Sequence, residues 1–334
     1  MNLLKVTRYS EWWEYKLVPL LAVAYSTVLV NHYPIEKAGL RILYLLLAII
    51  GGAVYVSIIN DLTDIKEDAR AGKSNRMANV SPTWRVVLLG ICFATAAGFA
   101  YYIYPDRLAL SFFILAYLIF TCYSVPPVRL KKRGIWGLLG DAMGAHLFPS
   151  LLISANLSFY FGERLNPSWT LAIGIWSVMY GLRGILWHQF FDRENDLRSE
   201  TKTFASQVDP NQFKIQEQSI FIVEILALSF ILWKVFTIWV GLGLLSYFLI
   251  FLIRKFAFRY QTAIIISPIT APYQLLMNDF YFVFFPLALL LSSITYSNYG
   301  WLVLCLHFIL FPQKLILVLK DFIIFAKIKL NCFK

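Results

Sequence analysis

Apolar runs of about 20 residues recur along nearly the whole chain, and each is long enough to cross a bilayer as an α-helix. Because a backbone in lipid must satisfy its own hydrogen bonds, only helices or a closed barrel can span a membrane. The runs are continuous rather than alternating in polarity, which predicts an all-α polytopic transmembrane bundle of about nine helices, or ten if each of the last two runs is a span. The predicted spans are roughly 17–34, 40–60, 84–104, 108–126, 136–155, 168–190, 217–235, 237–253, 279–295 and 299–320.

Composition and loop charge predict where the protein resides. Charged residues make up 15% of the chain, against about 25% in soluble domains. Lys and Arg concentrate in every other predicted loop, which the positive-inside rule assigns to the cytoplasm. We therefore expect an integral multi-pass membrane protein, in the inner membrane if the source is bacterial. The net charge of +11 is divided among short loops at the membrane edge, which suits membrane lipids or a diphosphate and argues against nucleic acid. The basic loops are 61–83, 127–135, 191–216 and 254–278.

The chain lacks a low-complexity linker, so we expect one transmembrane domain over residues 1–334. A diverged duplication, with repeats over about 17–155 and 168–320, would explain why two helices end in acidic residues. Near the N-terminus, Trp12 and Trp13 stand close to Lys16. This grouping is typical of an interfacial anchor before the first span.

Acidic residues concentrate where two of the predicted spans end. We call residues 60–68 the first acidic stripe and residues 192–200 the second. Positions three and four apart share a helix face, so the carboxylates of each stripe would repel one another unless cations neutralise them. Mg²⁺ prefers oxygen ligands and is commonly shared with substrate phosphates. For either stripe alone, the alternative is a solvated helix end with ion pairs. The predicted metal ligands are Asn60, Asp64, Asp68, Asp192, Asp196 and Glu200.

Basic and polar residues near the stripes are candidates for binding phosphate oxygens. The positive-inside rule is the alternative explanation for the loop cations, whereas Arg183 lies within a predicted span and is costly to bury. His188 precedes the second stripe by one turn and is expected to be a pocket residue or an orienting group, since Mg²⁺ prefers oxygen. The predicted substrate-binding residues are Lys73, Arg76, Tyr123, Arg129, Lys131, Arg183, His188 and Lys202.

Together these motifs resemble those of the UbiA-type superfamily of intramembrane prenyltransferases. The first stripe fits the family pattern N-D-x-x-D-x-x-x-D, and the second resembles its D-x-x-x-D motif. Met77 stands where proline commonly follows the arginine, and Glu200 replaces a position that is often aspartate. The segments that carry the resemblance are Asn60–Asp68, Gly72–Arg76, Tyr123–Lys131, Asp192–Asp196 and Thr201–Ala205.

The resemblance implies a bundle around a central cavity with an acidic site that faces the cytoplasm. It implies Mg²⁺ as cofactor and departure of diphosphate from an allylic prenyl diphosphate donor, with capture of the prenyl group by an aromatic or lipid acceptor. The stripes and the cations Lys73, Arg76, Arg129 and Lys131 would bind the diphosphate. Asp61 is a candidate for orienting ligands or relaying a proton. The residues expected to be catalytic are Asp61, Asp64 and Asp192.

Other functions remain open at the level of sequence. Within the superfamily, a phosphoribosyl diphosphate donor with a polyprenyl phosphate acceptor fits the same motifs. A CDP-alcohol phosphotransferase also uses aspartates on membrane helices, but its D-G and A-R elements are not found here. A cation-coupled transporter would suit intramembrane acids such as Asp141 and Glu224, although transport sites lie near the midplane and the stripes lie at one interface. Buried polar contacts are the alternative role for those two acids.

Overall fold

The computed structural model describes residues 7–70, 72–198, 202–268 and 270–332, and most of them are helical. Within these ranges eight helices are long and apolar enough to cross a membrane, or nine if one bent pair counts as a single span. The predicted helical membrane bundle is therefore confirmed. The eight are α1 Tyr9–Val30, α2 Ile35–Arg70, α3 Pro82–Ile103, α4 Arg107–Ser124, α5 Ile135–Tyr160, α6 Pro167–Phe191, α9 Lys214–Lys234 and α10 Ile238–Phe256.

Shorter elements complete the chain. A 3₁₀ turn at Leu130–Lys132 follows α4, and α5 contains one π-helical turn at Met143–Leu147. Two three-residue strands, which the sequence did not predict, pair in parallel with Gln261 opposite Tyr273. The remaining elements are α7 Arg193–Arg198, α8 Phe204–Gln207, β1 Gln261–Ala263, β2 Tyr273–Leu275, α11 Phe280–Ile294, α12 Gly300–Leu310 and α13 Gln313–Cys332.

Apolar side chains are buried at the centre of the bundle and exposed at its periphery, as expected of a protein surrounded by lipid. Helix α1 is central, and nearly every residue from Leu17 to Leu29 is buried by its neighbours. Helix α3 lies at the periphery and exposes large apolar side chains such as Val86 and Tyr101, which are 71% and 76% exposed. Such surfaces would be unstable in water but are solvated by lipid tails.

Two sequence-based expectations about the ends of the chain are wrong. The predicted span 299–320 is not one continuous helix, because α12 and α13 meet at an angle of 83°. Pro312 lies at the break, where it has no N–H to continue the helical hydrogen bonds. The tryptophans near the N-terminus are not an anchor outside the first span. Trp12 is buried in α1, and Trp13 donates its indole N–H to the carbonyl of Leu310 at 2.8 Å.

A buried ion pair joins α6 to α9. Arg183 donates from Nε and a terminal nitrogen to the two carboxylate oxygens of Glu224, at 2.8 and 3.0 Å. Tyr281 donates to the same carboxylate at 2.7 Å, and Arg183 also donates to the carbonyl of Leu276, just after β2, at 2.8 Å. Both charges are nearly inaccessible and fully hydrogen-bonded, which is the condition for burying an ion pair.

Removal of Glu224 should leave the Arg183 charge buried and uncompensated. We expect Glu224→Ala to lower the free energy of unfolding by about 3–5 kcal/mol, measured by thermal unfolding in detergent. The control is Glu194→Ala, since Glu194 is exposed and only 3.7 Å from exposed Arg198. Equal unfolding midpoints for the two variants would contradict this assignment.

Candidate active site

A large cavity of about 1120 Å³ opens inside the bundle. Its wall is mostly apolar and aromatic, with contributions from α1, α2, α4, α5 and α6. Asn60 of the first acidic stripe and Asp192 of the second both line it, together with His188 and Tyr123. The fold therefore brings the two stripes, more than 120 residues apart in sequence, to one cavity.

The first stripe lies on the last turns of α2, which continues past the predicted end at residue 60 to Arg70. Lys131 donates to both oxygens of Asp64 at 2.6 Å. Arg129 donates to Asp64 at 2.8 Å and to Glu67 at 2.6 Å. Lys132 also contacts Glu67 at 2.6 Å. The basic loop after α4 therefore supplies the positive charge that lets these carboxylates share one helix face.

Lys131 is poorly solvated at this position. Burial lowers the pKa of its ammonium group, and the contact with Asp64 partly offsets that effect. A partly desolvated ammonium interacts more strongly with an anion than it would in water. Lys131 and Arg129, which the sequence predicts as diphosphate-binding residues, thus pair with a carboxylate of the first stripe in this structure.

Asn60 and Asp61 point in different directions from the helix. Asn60 accepts a hydrogen bond from Ser124 at 2.5 Å, and Lys131 lies 3.4 Å from the same oxygen. Asp61 is buried against Arg8 and Arg76, whose nitrogens lie 3.4 and 3.7 Å from its carboxylate. Its contacts are those of a group that positions these arginines.

The loop after α2 folds back onto the stripe through Asn75. The Asn75 amide donates to the Asp68 carboxylate at 2.7 Å and to the Asp61 carbonyl at 2.8 Å, and its oxygen accepts from the backbone of Met77 at 2.9 Å. Met77, which departs from the family pattern, is fully buried. This loop carries Lys73, whose positive charge acts to lower the pKa of Asp196 in the second stripe.

The second stripe is not the continuous helical row that its spacing predicted. Helix α6 ends at Phe191, and Asp192 occupies the capping position, 3.3 Å from His188. Helix α7 then carries Asp196, which accepts a hydrogen bond from Thr203 at 3.0 Å. Burial raises the pKa of Asp196, while Thr203 and Lys73 act against that shift. Glu200, a predicted metal ligand, lies outside the described residues.

One predicted substrate-binding residue, Arg183, is committed to other partners. Arg183 lines the cavity, but its guanidinium is committed to Glu224 and to backbone carbonyls, so its expected role as a phosphate ligand is not supported by its contacts. Lys202 is exposed at the start of the segment that precedes α8. Glu224 acts as the buried polar partner that the sequence left as one alternative.

The carboxylates of the two stripes are not gathered into a closed metal cage. Within the described ranges, no three acidic, histidine or cysteine side chains form a cluster able to hold a metal ion. Each stripe instead offers one or two oxygen atoms near the cavity. A hard cation held here would need further oxygen ligands, which a phosphate-bearing substrate can supply.

Several residues of the site were missed by sequence reasoning. Arg8 and Arg76 both contact Glu11, so the start of α1 becomes part of the site. Ser124 and Asn75 orient the first stripe. Isolated polar residues at helix ends carry little signal in sequence, because their partners come from other elements.

The hydrogen bonds of Asn75 should hold closed the loop that carries Lys73 and Arg76. Replacement by alanine removes three hydrogen bonds, each of which contributes about 0.5–1.5 kcal/mol. We expect Asn75→Ala to raise the rate of tryptic cleavage after Lys73 and Arg76 roughly tenfold, because cleavage follows the population of the open loop. Asn79→Ala, an exposed position in the same loop, is the control. Unchanged cleavage in Asn75→Ala would show that other contacts hold the loop.

Comparisons with known proteins bear on the family and on the fold. The model of the UbiA prenyltransferase family matches residues 17–268. No curated protein matches the chain significantly in sequence.

Solved structures share the fold at low sequence identity. A UbiA homolog from Archaeoglobus fulgidus bound to GPP and Mg²⁺ has a TM-score of 0.54 at 14% identity, covering 91% of this chain and 99% of that chain. The same homolog bound to DMAPP and Mg²⁺ also has a TM-score of 0.54, at 13% identity and with the same coverage. A structure described in work on digeranylgeranylglyceryl phosphate synthase in membranes has a TM-score of 0.52 at 13% identity, covering 93% and 98%.

Proposed function

The chain belongs to the UbiA prenyltransferase family, and we propose that it transfers a prenyl group from an allylic prenyl diphosphate to an acceptor inside the membrane. The observation that supports this most directly is the convergence of Asn60 and Asp192, from two separate acidic stripes, on one large apolar cavity. Such a cavity suits an isoprenoid chain, and the charged end suits its diphosphate. The structural neighbours are described as bound to GPP or DMAPP with Mg²⁺.

We assign the diphosphate end of the cavity to Mg²⁺ as well. The donor set fits this ion, since the stripes present carboxylate and amide oxygens and Mg²⁺ commonly takes one or two carboxylates plus substrate phosphates. When bound, Mg²⁺ supplies Lewis-acid stabilisation of the departing diphosphate. The residues proposed to hold it are Asn60, Asp64, Asp68, Asp192, Asp196 and Glu200, the last of which lies outside the described residues.

The cations of the site have a second task in this proposal. Without substrate, Lys131 and Arg129 neutralise Asp64 and Glu67. When the donor binds, Lys131 and Arg129 donate hydrogen bonds to its phosphate oxygens. Their positive charge is therefore in place before negative charge develops on the leaving diphosphate. Lys73, on the loop after α2, acts electrostatically on Asp196 of the second stripe and is the third cation that we assign to the diphosphate.

The reaction then consists of one bond broken and one formed. The bond between the first prenyl carbon and the diphosphate oxygen breaks, and its electron pair leaves with the diphosphate. The acceptor supplies the electron pair of the new bond to that carbon and afterwards loses a proton. The aromatic wall of the cavity, including Tyr123 and Phe120, offers ring faces that stabilise a cationic carbon.

Two further parts of the proposal concern the whole chain. From the alternation of basic loops we propose that both stripes face the cytoplasm. The single domain would consist of two pseudo-repeats, over about 17–155 and 168–320, in which α2 and α6 are equivalent because each delivers one stripe to the cavity.

The decisive measurement is diphosphate release by purified protein supplied with prenyl diphosphates of several lengths, with Mg²⁺ or with chelator, and with lipid extract as the acceptor source. We expect Mg²⁺-dependent release that falls at least about 100-fold in Asp64→Ala and in Asp192→Ala, because each removes an oxygen ligand for the metal or its substrate. Glu194→Ala is the matched control, as Glu194 lies in the second stripe but is exposed.

Release with none of the prenyl donors, from protein shown to be folded, would overturn the proposed donor. A phosphoribosyl diphosphate would then be the next donor to test. A transporter would release no diphosphate from any donor, so the same assay separates that class as well.

The paired lysines of the loop after α4 predict a difference in donor affinity. Lys131→Met should raise the KM for the donor about tenfold and leave the KM for the acceptor unchanged, because a charge-assisted hydrogen bond to phosphate is lost. Lys132→Met is the control, since Lys132 contacts Glu67 and is exposed. Steady-state kinetics with each substrate varied in turn provides the test. Equal donor KM values for the two variants would remove Lys131 from the diphosphate site.

A further inference from the structure

A second polar cluster lines the cavity away from the acidic stripes. Lys16 on α1 lies 3.0 Å from Nε2 of His146 and 3.7 Å from the carboxylate of Asp141. All three side chains line the cavity. The proposed transfer of the prenyl group uses none of these three side chains. Ionisable groups within membrane-spanning helices are energetically costly, and those that occur there are usually functional.

The cluster lies deeper in the bundle than the stripes. Arg8, which contacts Asp61 of the first stripe, precedes Lys16 by eight residues. At 1.5 Å per helical residue, Lys16 is about 12 Å further along α1. A cation at this depth is displaced from the proposed diphosphate site towards the part of the cavity where an acceptor would meet the prenyl carbon.

The ammonium group of Lys16 is only partly satisfied by its neighbours. It has three N–H donors, and the contact with His146 uses one of them. Its distance from Asp141 is longer than a hydrogen bond, and within the described ranges the Oδ2 atom of Asp141 has no hydrogen-bond partner. The Lys16 side chain is 32% exposed, so donors remain free to reach a molecule in the cavity.

The imidazole that supports Lys16 is held from several sides. His146 lies in the π-helical turn of α5, and such turns are frequent at functional sites. The edge of its ring meets Tyr180, with centroids 5.0 Å apart. At Gly181 of α6, a Cβ atom would lie 2.9 Å from Cδ2 of His146, so this close packing requires glycine. This packing fixes the orientation of the imidazole ring, and the fixed ring in turn positions the Lys16 ammonium group.

We propose that Lys16 is the acceptor-recognition residue of the cavity, and that its ammonium group, positioned by His146 and Asp141, binds an anionic oxygen of the acceptor. The inference rests on the proposed prenyl transfer. A carboxylate on an aromatic ring and a phosphate monoester on a lipid share this chemistry. The Asp141 carboxylate stands 3.7 Å from the lysine nitrogen without a hydrogen bond to it, so the ammonium N–H groups can donate to a better-placed anionic oxygen in a mostly apolar cavity.

Equilibrium binding by calorimetry tests the proposal without turnover. The probes are two matched pairs, namely 4-hydroxybenzoate against its methyl ester and a prenylglycerol phosphate against the prenylglycerol. We expect the wild-type protein to bind the anionic member of one pair at least about tenfold more tightly, and that pair identifies the source of the anion. Lys16→Met should abolish this preference, and Lys16→Arg should retain it.

Two further variants separate recognition from general damage. Lys314→Met is the matched control, because Lys314 lines the same cavity but contacts the hydroxyl of Tyr15 at 2.9 Å. It should keep the anion preference. His146→Leu should weaken the preference, whereas His146→Asn, which keeps an acceptor for the lysine, should restore part of it. A merely structural role for His146 would change the unfolding midpoint without this pattern.

Several outcomes would overturn the proposal. One is equal affinity of the wild-type protein for both members of each pair. The absence of binding to all four probes counts as the same outcome. Another is a retained anion preference in Lys16→Met. Binding of a non-reactive thiolodiphosphate analogue of geranyl diphosphate is measured in parallel. Weaker analogue binding in Lys16→Met would assign the lysine to the diphosphate site instead. Failure of the wild-type protein to bind the analogue would count against the proposed function and not against the anion preference.

Discussion

Charge compensation between separate elements is the constraint on which the site depends. Asp64 and Glu67 share one face of α2 and would repel each other at the end of a membrane helix. Arg129, Lys131 and Lys132 reach them from the loop after α4. Because this loop neutralises the stripe, the two carboxylates can share one face of α2, which remains helical to Arg70.

The ion pairs of this protein are of two kinds, buried pairs that join helices and partly accessible pairs at the first stripe. The pair between Arg183 and Glu224 is inaccessible and fully hydrogen-bonded, so it joins helices and cannot exchange partners cheaply. The pairs at the first stripe are partly accessible, with side-chain exposures of 15–25% for Lys131, Arg129 and Asp64. Groups that remain within reach of solvent can transfer from carboxylate to phosphate, as the proposed function requires.

The cavity wall is mostly apolar and aromatic, with charged side chains from several elements. Asn60, Asp192 and His188 line it at the two stripes. Lys16 lies among the charged residues of the wall, about 12 Å along α1 from the arginine that contacts the first stripe. Its separation from the stripes matches a reaction that must hold a diphosphate and an acceptor group at different depths.

Hydropathy and helical spacing establish from sequence alone that this chain is a helical membrane protein with two acidic stripes, because both properties are local. The tertiary structure decides which charges meet. It pairs Arg183 with Glu224 instead of a phosphate site, breaks the second stripe at Asp192, bends the chain at Pro312 and places Lys16 inside the cavity. These outcomes depend on which helices pack together, and the partner of a long charged side chain comes from a distant element whose identity no local pattern encodes.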